Sequence, residues 1–350
     1  MKPQHFVILA ILAAVSTVLA ITSYAANNTW SPGSVSGARM LPTLSSNAAT
    51  IAAIELRQGA KILTVEKADG GAWRLKERGG YPVAADKVRA LMVSLAEADL
   101  VEAKTRVADR YGLIDLEDPT AAGAKSRSVR LLDAKGAVVA EAVVGKKRSD
   151  AFGFGKAGTY VRKPGEAQTW LANADLDVSP DLKDWVKTDV FQTDSAKVSR
   201  VTVEVAGEQP LKIERNADKK LTVAGIPQGQ KLKDEGTADS ITRAAALIDF
   251  DDVRKQTSSP APKDVSTVKL ETDSKLNVTL NVRKDGDAQW LSVVAAGEGD
   301  AKKTADEITG RTAGWEYKIS ANKADSLLKR RSDLFEKVAD DKEKEKEKKP

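Results

Sequence analysis

The chain has 350 residues, 55 of them basic and 50 acidic, for a net charge of +5, and 41% are apolar. That small charge, with no basic stripe interleaved with aromatics, argues against nucleic acid as a partner. There is no cysteine, and His5 is the one histidine, so the body has no disulfide, thiolate, imidazole base, His-type zinc site or Ser-His-Asp triad.

Lys2 precedes a charge-free run from Phe6 to Tyr24. Its length fits either a signal-peptide core or a short transmembrane helix. Ser23-Tyr24-Ala25 before Ala26 offers small residues for cleavage after Ala25, whereas the Lys2 charge favours an uncleaved anchor with its N-terminus in the cytoplasm. The expectation is an inner-membrane protein with one N-terminal span (residues 1–25) and a periplasmic body, or release to the periplasm if the segment is cut. Residues 26–48, rich in Asn, Ser, Pro and Gly, read as a linker.

The body says the same thing twice. IAAIEL (Ile51 to Leu56), Gln58-Gly59, KILTVEK (Lys61 to Lys67) and AWRLKE (Ala72 to Glu77) predict strands joined by tight turns. VSRVTVEV (Val198 to Val205), Gly207, PLKIER (Pro210 to Arg215) and KKLTVA (Lys219 to Ala224) repeat that order. Each copy then switches to a helical period, with Val88, Leu91, Met92 and Leu95 in the first and Ile241, Ala244, Ala245 and Ile248 in the second. Asp86 and Asp239 sit near the helix starts, where a carboxylate can accept unpaired backbone N–H groups and offset the dipole.

Strands return in both copies. The first has SVRLLD, a turn at Lys135-Gly136, AVVAEAVVG, GTYVRK and QTWLA; the second has STVKLET, KLNVTLNVRK, a turn at Asp285-Gly286, QWLSVVA and GWEYKIS. Each copy is expected to close with a helix entered at Ala172-Asn173 or Ala321-Asn322. Lys187 to Phe191 and Arg331 to Phe335 then match position by position. The fold class is therefore α+β: two tandem modules, 49–193 and 194–337, of mainly antiparallel sheet with one or two helices each, after an N-terminal apolar helix. The tail, 338–350, alternates Lys with acidic residues and has no core face.

Motifs that invite chemistry are weak. GFGKAG (Gly153 to Gly158) has the G-x-G-x-x-G spacing, but a strand follows it rather than a helix, so it reads as a hairpin. Ser-x-x-Lys occurs at Ser266-Lys269, Ser320-Lys323 and Ser326-Lys329 without the companion motifs of a Ser-Lys hydrolase. Asp249, Asp251 and Asp252 lack the glycine and closing glutamate of a calcium loop and read as a solvated helix end. Trp73, Trp170, Trp185, Trp290 and Trp315 read as core packing. No catalytic, cofactor-binding or metal-binding residue is assigned, and no cofactor is expected.

Several stretches of the first copy carry a resemblance. Trp73-Arg74-Leu75, Pro82, Ala85-Asp86 and the helix of Val88, Leu91 and Leu95 are joined by Tyr111-Gly112-Leu113, Asp118-Pro119 and an expected Val143-Val144-Gly145 turn. Thr159-Tyr160-Val161 and Asp189-Val190-Phe191 complete the pattern. This resembles the bacterial domain of unknown function family 4340. The second copy follows more loosely, with Ser259-Pro260-Ala261-Pro262 where Tyr-Gly-Leu would stand. The resemblance implies an N-terminal membrane segment, an extracytoplasmic body and an association with ABC-type transport components of the gliding-motility kind. It brings no catalytic residues.

The functional expectation is a non-enzymatic envelope protein, held to the membrane by its N-terminal helix. It would bind a protein partner as an accessory subunit of an ABC-type transport or envelope complex. The alternative is a periplasmic module that binds a small molecule or glycan in a cleft between the copies. An enzyme relying on Asp, Glu, Ser, Lys or Tyr alone has no motif to support it.

Overall fold

The computed structural model describes residues 15–18, 20, 22, 37–256 and 265–338. Most of the apolar N-terminal run, the Ser259-Pro260-Ala261-Pro262 stretch and the charged tail past Val338 lie outside them. Val15 to Val18, Ala20 and Thr22 are helical. Among the described residues no helix is long and apolar enough to cross a membrane.

The chain divides into two units, Met1–Trp185 and Val186–Pro350. Both are α+β with antiparallel strand pairing and few helices, the class that the period switches predict.

The first unit opens with β1 (Ala38–Arg39) and a one-turn helix, α1 (Leu44–Asn47). Met40, Leu41 and Leu44 are buried, so the stretch read as the end of a linker is part of this core. Its few apolar residues are spaced too irregularly to announce that. β2 (Ile51–Gln58), β3 (Lys61–Lys67), β4 (Trp73–Leu75) and β5 (Tyr81–Pro82) follow. Helix α2 (Ala85–Glu97) buries Val88, Leu91 and Leu95 as its spacing predicts. After it come β6 (Asp99–Ala103), β7 (Arg127–Asp133), β8 (Val138–Arg148), β9 (Gly158–Arg162) and β10 (Thr169–Ala172). The sheet runs β1-β6-β10-β9-β8-β7-β2-β3-β4-β5.

The second unit begins with β11 (Asp189–Gln192), followed by β12 (Val198–Glu204), β13 (Leu211–Arg215), β14 (Leu221–Val223) and β15 (Gln230–Leu232). Helix α3 (Thr237–Ala246) leads into β16 (Leu247–Asp249) and β17 (Asp252–Lys255). Three longer strands follow: β18 (Val265–Thr272), β19 (Leu276–Asp285) and β20 (Ala288–Gly297). Helix α4 (Ala301–Thr312), β21 (Trp315–Ile319), helix α5 (Ala321–Leu327) and β22 (Phe335–Lys337) complete it. The main sheet runs β14-β13-β12-β18-β19-β20-β21-β17, and two small sheets pair β11 with β16 and β15 with β22.

The turns fall where expected: Gly136 and Gly286 both have positive φ between paired strands, a conformation that costs glycine no Cβ clash. Other expectations need correction. No α-helix follows Ala172-Asn173. Instead Asn173 is held beside β6, its Oδ1 accepting from Asp99 N at 2.7 Å, and the chain runs through Pro180 to a short 3-10 turn, Leu182–Asp184. Val143-Val144-Gly145 is not a turn but the middle of β8. Lys187 to Phe191 and Arg331 to Phe335 take different places. The former enters β11 and pairs with β16, whereas the latter forms a 3-10 turn and starts β22, which pairs with β15. Asp86 and Asp239 stand inside the first helical turns, and neither helix start has a side-chain cap. Ile248, placed on the helix stripe by its spacing, is buried in β16 because α3 stops at Ala246. Helix α4 has no counterpart in the predicted elements. Its buried face is Ala301, Ala305, Ile308 and Thr312, too small and too polar to register as an apolar stripe.

Candidate functional site: a groove in the second unit

A groove of about 760 Å³ opens among α3, α5 and the ends of β18, β19 and β20. Its apolar floor comes from each of these layers. Ile241 of α3 and Val282 of β19 are each 1% exposed, and Ala324 of α5 and Leu334 are also buried. Thr237, Ser240, Ser266 and Gln289 add hydroxyls and an amide, while Lys284, Asp325, Lys329 and Arg330 form an exposed charged rim.

The wall after α5 is fixed by backbone bonds. Lys233 N donates to Leu334 O at 2.9 Å, and Lys233 Nζ donates to Asp333 O at 2.8 Å. Arg331 donates to the Ala224 and Gly225 carbonyls and lies 5.3 Å from the Phe335 ring centre. Asp234 turns inward on its own chain, its Oδ1 accepting from Gly236 N at 2.9 Å. These bonds hold the Arg331–Leu334 segment to Lys233 and to the Ala224-Gly225 turn along one side of the groove.

The groove does not assemble a Ser-Lys pair. Ser266 lines it, but Lys269 lies three residues along the same strand, hence on the opposite face, and its Nζ is 2.8 Å from Glu204. Ser320 caps α5 by accepting from Lys323 N at 3.2 Å, and Lys323 Nζ donates to Leu247 O at 2.8 Å. Ser326 Oγ donates to Asn322 O at 2.8 Å within the helix. Asp249 lies 3.5 Å from Lys323, and Asp252 Oδ1 accepts from Val253 N. Among the described residues no group of three or more acidic, His or Cys side chains is placed to hold a metal.

Elsewhere on the same sheet is the most buried charge cluster. Glu316 of β21 is 3% exposed. It accepts from Arg283 Nε at 2.8 Å, Arg283 Nη2 at 2.7 Å and Arg254 Nε at 3.0 Å. Arg254 also stacks 3.8 Å over the Trp290 ring, and its Nη2 is 2.7 Å from Asp285. Burial pushes the Glu316 carboxyl up, but the two guanidiniums outweigh it and hold it below the usual glutamate range. Alternation in WEYKI puts Glu316 opposite Tyr317, on a face that reads as exposed; Trp290 and the two arginines close over it. Glu316 and Arg283 are paired within the sheet, whereas the buried Arg254 Nη2 has only the ion pair to Asp285 and no hydrogen bond.

In the first unit, GFGKAG is the loop between β8 and β9, as its flanks predict. Trp185 and Trp290 are buried, whereas Trp73, Trp170 and Trp315 are half-buried. The groove residues come from separate segments, and no local sequence signal marks them.

No curated protein and no solved structure matches the chain. The family model described as "Domain of unknown function (DUF4340)" matches residues 73–271, from β4 of the first unit to β18 of the second. That match covers more than half of the sequence and runs past the first unit, and the chain therefore belongs to this family of proteins.

Proposed function

We propose that this protein is a non-enzymatic, membrane-tethered extracytoplasmic subunit that binds a protein partner in an ABC-type transport or envelope complex. The groove of the second unit carries this reading: an apolar floor inside a ring of charged side chains is the anatomy of a protein-binding patch. Lys284, Lys329 and Arg330 would select an acidic partner surface and set the association rate. The double reversal Lys284→Glu, Lys329→Glu tests it. Loss of partner capture with an unchanged unfolding midpoint supports the assignment; unchanged capture overturns it.

The same proposal treats the two units as copies of one module. In its support, the order β4-β3-β2-β7-β8-β9-β10-β6 has the same path as β14-β13-β12-β18-β19-β20-β21-β17. The strand registers slip at corresponding places, between Ile51 and Ala53 and between Val198 and Arg200. Each unit also lays an opening strand beside the chain that leaves its main helix.

The second reading is a small-molecule or glycan site. Thr237, Ser240, Ser266 and Gln289 favour it, since they could hydrogen-bond sugar hydroxyls within the groove. A rise in melting temperature on glycan addition would separate the two readings.

A further inference from the structure

The β8–β9 hairpin of the first unit ends in an aromatic displayed to solvent. Strand β7 leaves β8 at Val144, and β8 continues to Arg148 paired with β9 alone, so the hairpin projects past its neighbour. At its tip Phe154 is 100% exposed. The loop that carries it is ordered: Asp150 Oδ1 accepts from Gly155 N at 2.7 Å, Lys156 N donates to Gly153 O at 3.0 Å, and Phe152 N donates to Lys156 O at 3.2 Å. Gly153 and Gly155 have positive φ and open space where a Cβ would stand. Phe152 is half-buried at the base, so one phenylalanine anchors the loop and the other is held out.

Basic residues flank the tip. Lys146, Arg148 and Lys156 are exposed, and Lys147 pairs with Asp175 at 2.7 Å. The acidic group within the loop, Asp150, is committed to the Gly155 amide. An apolar tip within a collar of cations matches the boundary of an anionic bilayer, where a ring enters the acyl edge and ammonium and guanidinium groups meet headgroup phosphates. Such a surface needs no preformed pocket for the ring. We infer that the hairpin tip around Phe154 is a docking element for an anionic lipid surface.

The test uses the full chain. It contains no cysteine, so Ser149→Cys places one environment-sensitive fluorophore on the loop. The dye reads the loop itself, so attachment through the N-terminal segment does not produce the signal, and the inference stands apart from the partner reading above. Vesicles of phosphatidylglycerol and phosphatidylcholine should shift its emission to the blue, and phosphatidylcholine alone should not. Phe154→Ala should weaken that response about tenfold. Replacing Lys146, Arg148 and Lys156 by Gln should weaken it about fivefold per charge. No shift, an equal shift on neutral vesicles, or a shift that survives Phe154→Ala overturns the inference. A dye that stays in water against vesicles but is buried in native membranes identifies a protein occupant instead and also overturns it.

Discussion

Gly145 of β8 lies against the backbone of Asp115: a Cβ at position 145 would stand 2.7 Å from Asp115 O and would also run into Ile114 O. This joins two stretches of the family pattern that are about thirty residues apart. The 3-10 segment Ala108–Ile114 holds Tyr111, whose hydroxyl donates to Ala167 O at 2.6 Å and whose ring faces Arg162 at 5.0 Å. Its end is pressed onto β8 where glycine leaves room. Gly145→Ala should cost about 2 kcal/mol through overpacking against backbone that cannot yield. Gly112→Ala, with nothing within 4 Å of the new Cβ, should change stability by less than about 0.5 kcal/mol. Urea unfolding of both variants reads the difference; equal effects would mean that the contact does not constrain the strand.

The Glu316 cluster predicts a contrast between buried and exposed ion pairs. Glu316→Ala strands two guanidiniums and should destabilise the protein by about 3 kcal/mol. Arg200 bridges Glu214 at 2.9 Å and Glu271 at 3.1 Å, but its side chain is 45% exposed, and Arg200→Ala should cost at most about 1 kcal/mol. Because the folded Glu316 carboxyl titrates below its unfolded value, its stabilisation is present above about pH 4.3 and is lost as pH falls through the folded pKa. Acid unfolding of Glu316→Gln should therefore be shallower than that of the parent. Parallel curves would contradict the assignment.

Much of the sheet was legible because period-2 alternation marks a half-buried strand whatever it packs against. Val88, Leu91 and Leu95 were legible as one helix face for the same kind of reason. Helix α4 was not, because Ala305 and Thr312 bury little area and leave almost no moment. Nor was the groove, since Ser240, Ser266 and Lys329 meet only once the chain has returned to α5. In the sequence, matching Phe191 with Phe335 by residue type starts the second module at Asp194, whereas the second unit of the fold starts at Val186. Ala84 N donates to Trp185 O at 3.1 Å, which ties Trp185 to the first unit, and Lys233 N donates to Leu334 O at 2.9 Å within the second.

The burial of β11 carries its own prediction. Val190 and Phe191 are 2% and 1% exposed within the second unit, where Arg311 Nη2 donates to Val190 O at 2.7 Å. Phe191→Ala should cost about 3 to 4 kcal/mol. A fragment starting at Val186 should unfold cooperatively, and one starting at Asp194 should not. Circular dichroism during heating distinguishes them; equal cooperativity would place β11 outside the second unit's core.

The proposed function requires that this protein hold a partner. Crosslinking in native membranes, followed by purification and identification of the attached chains, tests it most directly. ABC-type membrane or ATPase subunits should be recovered in fixed ratio and lost in the Lys284→Glu, Lys329→Glu variant. Recovery of the protein alone from the periplasmic fraction would contradict it.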